Sequence, residues 1–196
     1  PFILHDRMLK FISNETEAAK LGKPARIIIK VNSLIDQPVI DGLYLASQAG
    51  VKVDLIIRGI CGLIPGVKGM SENIKVRSLL GQFLEHSRVF YFQNASPGCN
   101  LYLGSADWMP RNFLRRVEAV FPIEDTEKID SVLNDLDKIL LDSEGSSILK
   151  KDGSYSRIKP STKSKTSFSA QKALVEKSAK NSPIDAQVKL TATARK

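Results

Sequence analysis

The sequence predicts an α/β fold, and three observations carry that prediction. Two apolar runs of strand length, residues 25–32 and 51–57, enclose a segment with helical spacing, which together make a βαβ unit. Shorter runs rich in aromatic and β-branched residues follow, with Val89, Phe90, Tyr91 and Phe92 the clearest. The positive charge is confined to one end. Residues 1–142 hold 17 Lys+Arg and 17 Asp+Glu, whereas residues 143–196 hold 12 and 4. A neutral folded part with a basic tail is therefore expected, and the overall charge of +8 does not argue that the folded part binds nucleic acid.

Each element has its own signal. Residues 4–21 place Leu4, Met8, Phe11, Ile12, Ala18 and Ala19 at helical spacing, and Gly22 and Pro24 stop the helix. Residues 25–32 form a strand whose unbroken apolar run implies burial on both faces. Ser33 is the expected cap of the next helix, with Asp36 in the place of the usual glutamate. That helix runs through Val39, Ile40, Leu43, Tyr44 and Ala46 to Gly50, and residues 51–57 make the second buried strand. Gly59, Gly62, Gly66 and Gly69 then mark a loop that can approach a ligand, although no Gly-Lys-Ser/Thr ends it as a Walker A loop requires. Next come a strand at 74–79, a helical turn at 81–85, a strand led by His86, a turn at 94–98, a strand at 101–103 and another at 117–122. Residues 125–141 are a helix with Ile129, Val132, Leu133, Leu136, Ile139 and Leu140 on one face.

Composition changes after residue 142. Residues 149–158 suit a small hairpin around Asp152-Gly153. Beyond Pro160 large apolar residues are few, so residues 161–196 are expected to be a disordered basic tail with a transient helix at 172–180. The chain thus divides into a domain at 1–142, an extension at 143–160 and a tail at 161–196. No charged leader with an apolar core is visible, and the apolar runs fall far short of the ~20 residues of a membrane span. Cys61 and Cys99 fit neither a disulfide framework nor a zinc site, so a reducing, cytoplasmic setting is expected.

The candidate chemistry lies at strand ends. In open α/β sheets ligands bind beyond the carboxyl ends of the strands, which places Asn32, Ser33 and Arg58 there, with Lys30 close by. His86 and Arg88, two apart on a strand, would point the same way. Gly104-Ser105 offers backbone N–H groups and a hydroxyl to an anion. A titratable base, fixed cations and a Gly-Ser turn are what phosphate chemistry needs. Each has a plainer reading. His86 could be a strand histidine bonded to Glu85 or Asp107, and Arg58 half of a surface ion pair. Ser105 could be a turn serine, one of Arg115 and Arg116 merely solvated, and Trp108 a core residue rather than a base-stacking platform. The tail could hold a polyanion by counterion release or be an inert extension.

Long stretches resemble a known family. Residues 53–61 (VDLIIRGIC), Leu84-Glu85-His86-Ser87-Arg88 and residues 104–112 (GSADWMPRN) are similar to the C-terminal catalytic domain of bacterial polyphosphate kinase, the large form with a phospholipase-D-like core. The resemblance covers residues 1–142 and implies a phospholipase-D-like mixed sheet flanked by helices. It also implies reversible transfer of the terminal phosphate of ATP to inorganic polyphosphate, with Mg2+, through a phosphohistidine in a preceding domain of similar fold. By the same resemblance Arg58 binds ATP phosphates and His86 is the second active-site histidine, also at the nucleotide. Arg88, Ser105 and Arg116 are further candidates for phosphate contacts, and no metal ligand is assigned. Arg88 stands in place of the phospholipase D lysine and keeps the cation. Asp107 stands in place of an asparagine and adds a negative charge, which weighs against a phosphate contact. The implied partners are ATP or ADP, polyphosphate, the upstream domain and further copies of the full-length enzyme, with no specific nucleic acid and, at most, a peripheral place at the inner membrane. The chain alone is expected to be inactive for want of the nucleophile. Two other readings are a phospholipase-D-type phosphodiesterase or nuclease half-site and a non-catalytic polyanion-binding module.

Overall fold

The computed structural model describes residues 3–96, 99–158 and 167–180. Eight strands form one mixed sheet: β1 (Arg26–Val31), β2 (Lys52–Ile57), β3 (Ile74–Leu79), β4 (Arg88–Ser96), β5 (Cys99–Gly104), β6 (Val120–Ile123), β7 (Ser146–Leu149) and β8 (Tyr155–Arg157). Their order is β6-β5-β4-β1-β2-β3-β7-β8. Only β1, β2 and β3 run parallel to one another; every other pairing is antiparallel. Among the described residues five helices accompany the sheet: α1 (Leu4–Lys20), α2 (Gln37–Gln48), α3 (Pro110–Leu114), α4 (Thr126–Leu141) and α5 (Ala170–Lys180).

Alternation along β1 builds both cores, because successive strand side chains face opposite ways. Ile27, Ile29 and Val31 join Met8, Phe11, Ile12, Leu43 and Trp108 in the core beneath α1 and α2. Ile28 joins Ile56, Val89, Leu101, Ile129, Leu136, Ile139 and Ala170 in the core beneath α4 and α5. The double burial expected of β1 and β2 is thereby met. Trp108 is fully buried and stacks parallel on Phe90 at 5.9 Å, so it belongs to the core and is no base-stacking platform. No helix among the described residues is long and apolar enough to cross a membrane.

Several local expectations are corrected. Asp36, not Ser33, caps α2, its carboxylate accepting from Val39 N at 3.2 Å. Ser33–Asp36 cannot start a helix because it is held extended: Leu34 N donates to Ile60 O, Trp108 N donates to Ser33 O, and Ile35 N and Asp36 N both donate to Trp108 O. Residues 81–83 form bends and 84–85 are irregular, with no helical turn, and β4 begins at Arg88, leaving His86 just outside the strand. The β1–β4 ladder ends at Lys30↔Val89, so nothing extends the strand back to His86. β4 runs on through Asn94 to Ser96, where a turn was expected, and β6 starts at Val120 rather than at the exposed Val117. The hairpin around Asp152-Gly153 forms, with strands at Ser146–Leu149 and Tyr155–Arg157. The disorder expected from residue 161 does not hold for Ala170–Lys180, which is α5. Its few apolar residues suffice because Ala170 and Leu174 pack into the α4 core. Residues 159–166 and 181–196 lie outside the described residues.

One buried carboxylate joins α1 to the sheet. Glu15 is fully buried and accepts from Arg26 N at 3.2 Å, from Asn94 Nδ2 at 2.8 Å and from Asn94 N. Burial pushes its pKa up, against the lowering effect of the Asn94 and Arg26 donors. Glu15→Ala strands these donors where water is scarce, and a loss of about 2–3 kcal/mol in unfolding free energy is expected. Urea denaturation of the variant checks this; an unchanged midpoint would show that the donors find other partners.

Candidate functional site

Topology gathers the site at one sheet edge. The carboxyl ends of β1 and β2 lie side by side because those strands are parallel in register, with Val31 opposite Ile57. β4 runs antiparallel to β1, so its first residues arrive at the same edge, and β5 runs antiparallel to β4, placing Gly104 opposite Arg88. Asn32, Arg58 and Arg88 are thus neighbours in the fold although dispersed in the chain. Gly59 makes the approach of Arg58 possible: its N–H donates to Asn32 O at 2.8 Å, and a Cβ there would stand 2.8 Å from the same oxygen.

Asp107 organises this edge. It is only 6% exposed. Its Oδ1 accepts from Asn32 N at 2.7 Å and from Arg88 Nε at 3.3 Å. Its Oδ2 accepts from Asn32 Nδ2 and Arg88 Nη2, both at 3.2 Å. Burial pushes the Asp107 carboxyl up, but the Arg88 guanidinium and the two Asn32 donors together outweigh it and hold the pKa below the usual range. With its amide nitrogen given to Asp107, Asn32 turns its Oδ1 to Arg58 Nε at 2.6 Å. The terminal nitrogens of Arg58 make no hydrogen bond among the described residues, which leaves a fork for a ligand oxygen pair.

His86 is exposed at the mouth of this edge and meets Arg88 as expected, though by another route than a shared strand face. Arg88 Nη1 donates to His86 O at 3.0 Å and lies 3.2 Å from Nδ1 and 3.3 Å from Nε2 of the ring. The two carboxylates nearest His86 in the plainer reading, Glu85 and Asp107, are engaged elsewhere. Asp107 holds Arg88 and Asn32, while Glu85 Oε2 pairs with Lys30 Nζ at 3.1 Å. Lys30 is 2% exposed and also donates to Ser87 Oγ at 2.8 Å and Ser87 O at 3.2 Å. Burial lowers the Lys30 pKa; Glu85 opposes the shift, and Arg58 and Arg88 add to it.

Ser105 and Arg116 belong to a second cluster, built on Glu118. Its carboxylate accepts from Ser105 Oγ, from Asn112 Nδ2 at 2.6 Å and pairs with Arg116 Nε at 3.3 Å. Arg58, His86 and Arg88 are therefore brought together, with Ser105 and Arg116 tied to a separate anion. Glu118 and the structural role of Glu85 escaped the sequence, because an acidic residue beside a strand carries no local sign of the cation it will meet. Among the described residues no group of three or more His, Cys, Asp or Glu side chains could hold a metal ion. Both carboxylates of the main cluster are already paired with cations, so these residues do not fit Mg2+.

The family described as polyphosphate kinase C-terminal domain 2 matches residues 1–171, which reaches past residue 142 through the β7–β8 hairpin into α5. The chain is similar to a polyphosphate kinase of Pseudomonas aeruginosa, 48% identical over 177 residues, which cover 90% of this chain and 25% of that protein. A polyphosphate kinase of Neisseria meningitidis serogroup B is 50% identical over 161 residues, covering 82% and 23%. The crystal structure of polyphosphate kinase from Porphyromonas gingivalis superposes with a TM-score of 0.84 at 32% identity, covering 91% of this chain and 27% of that one. NucT from Helicobacter pylori shares the fold, with a TM-score of 0.53 at 19% identity over 71% of this chain and 91% of its own. The chain thus spans about a quarter of the length of the curated relatives it matches. With its mixed sheet, its clustered strand-end residues and a family match over most of its length, this chain belongs to the polyphosphate kinase family as the second of its C-terminal domains.

Proposed function

We propose that this domain supplies the phosphate-holding and proton-handling half of an enzyme that transfers the terminal phosphate of ATP reversibly to inorganic polyphosphate. One observation carries the reading: Arg58, His86 and Arg88 converge on a single edge, and Asp107 and Asn32 aim both guanidinium groups. Phosphoryl transfer is mostly positioning and charge stabilisation, for which preset cations suffice. Arg58 offers its free fork to phosphate oxygens. His86, held by Arg88 at the rim, gives a proton to the leaving oxygen, or steadies the phosphate as a cation. The nucleophilic histidine comes from an upstream domain, in keeping with a chain that spans a quarter of its relatives. His5 does not serve: it bonds Asp36 at the cap of α2, at 2.8 Å, and packs on Phe113. Ser105 and Arg116 enter only as outer contacts, since Glu118 already engages both.

In the full-length enzyme, His86→Gln should lower turnover about a hundredfold or more with the fold intact, the lower end of the range for losing a proton-transfer group. Near-normal synthesis and hydrolysis of polyphosphate would sink the assignment. Arg58→Ala should weaken ATP binding about tenfold or more, as loss of a charge-assisted pair does; titration with a fluorescent ATP analogue measures it. Incubating this chain alone with ATP and polyphosphate, and separately with a phosphodiester, should give no turnover. Phosphodiester cleavage would favour the nuclease-like half-site instead.

The Asp107 clamp has a pH signature. Its folded pKa is depressed, so its stabilising effect is present above the unfolded value of about 3.9 and is lost as pH falls through the folded value. Asp107→Asn should destabilise the chain by about 3 kcal/mol at pH 7, because Arg88 loses its buried partner. Denaturation from pH 7 down to 3 should also show a shallower acid loss in the variant than in the parent. Parallel curves would mean that other carboxylates set the acid limit.

A further inference from the structure

We propose that Gln171, on α5, is the positioning residue for His86. The inference rests on the reading of His86 as a functional group, and it assigns a role to a segment whose composition reads as tail. Residues 80–87 have no helix or strand of their own, so something else must fix the loop that carries His86. Gln171 does so with both ends of its carboxamide. Nε2 donates to Phe83 O at 2.8 Å, and Oε1 accepts from Phe83 N at 3.1 Å. The side chain therefore pairs with Phe83 as a neighbouring strand would, satisfying donor and acceptor together.

The same Nε2 donates to Glu85 Oε1 at 2.8 Å. Glu85 passes the constraint on through its other oxygen to Lys30, which holds Ser87. Residues 83, 85 and 87 are thus fixed in alternation, and His86 sits between the last two. Gln171 is only 7% exposed, which strengthens hydrogen bonds that solvent cannot contest. Gly81 leaves room for it: a Cβ there would fall 2.3 Å from Gln171 Oε1. α5 is itself anchored. Ala170 N donates to Asp142 Oδ2 at 2.8 Å, and Lys177 Nζ pairs with Asp135 at 2.7 Å.

The test uses the full-length enzyme with Gln171→Ala and with Gln171→Met, which keeps the volume but removes the hydrogen bonds. Both should lower kcat tenfold to about a hundredfold, as small displacements of a reacting group do, while KM for ATP stays within about twofold. In a His86→Gln background neither should cause further loss, because the effect runs through His86. Hydrogen–deuterium exchange should quicken in residues 83–87 and stay unchanged in β1 and α2. Equal losses of kcat with and without His86, or unchanged exchange at residues 83–87, would overturn the proposal. Normal turnover in His86→Gln itself, beside faster exchange at 83–87 in the Gln171 variants, would instead remove the catalytic role of His86 and leave the positional link standing.

Discussion

A single buried carboxylate sets the geometry of the candidate site. Asp107 sits where the end of β1, the start of β4 and the segment after β5 meet, and both of its oxygens are engaged by Asn32 and Arg88. A carboxylate so far from water is costly unless it is paired and fully hydrogen-bonded. Four donors meet that requirement, and meeting it aims everything else. Asn32 has its amide nitrogen committed and so presents its oxygen to Arg58. Arg88, held along one side of its guanidinium, keeps Nη1 for His86. The residue that departs from the phospholipase D pattern by adding negative charge is therefore the one that arranges the positive charges.

Placement of charge matters more here than its total. Residues 1–142 carry equal numbers of acidic and basic groups, yet one edge gathers Lys30, Arg58 and Arg88 against Glu85 and Asp107. Lys30 and Arg88 are paired with their carboxylates, whereas the terminal nitrogens of Arg58 make no hydrogen bond among the described residues. α5 extends the same logic to the opposite side of the sheet, where a carboxamide takes the place of a strand neighbour for the loop before β4.

Much of the fold was legible because its signals are periodic. α1 and α4 follow from apolar spacing, and the βαβ unit follows from two unbroken apolar runs around a helix. The hairpin follows from Asp152-Gly153. The misreadings share a cause. Ser33 resembles a cap by its neighbours, but tertiary hydrogen bonds hold residues 33–36 extended, so the cap moves to Asp36. His86 precedes an apolar run, but the pairing of that run ends at Val89 with β1 and at Arg88 with β5. The α5 segment looks too polar to fold, but average composition does not register that Ala170 and Leu174 meet a ready-made apolar face on α4.

By itself the sequence determined most of the strands, the long helices α1, α2 and α4 and the family the chain resembles, because local periodicity and contiguous motifs survive in one dimension. Only the tertiary structure decided how those residues are aimed. Asn32 and Asp107 are 75 positions apart, and Phe83 and Gln171 are 88 apart. Strand order and helix docking bring such pairs together, and a hydrogen bond depends on distance and direction in space, which spacing along a chain does not encode.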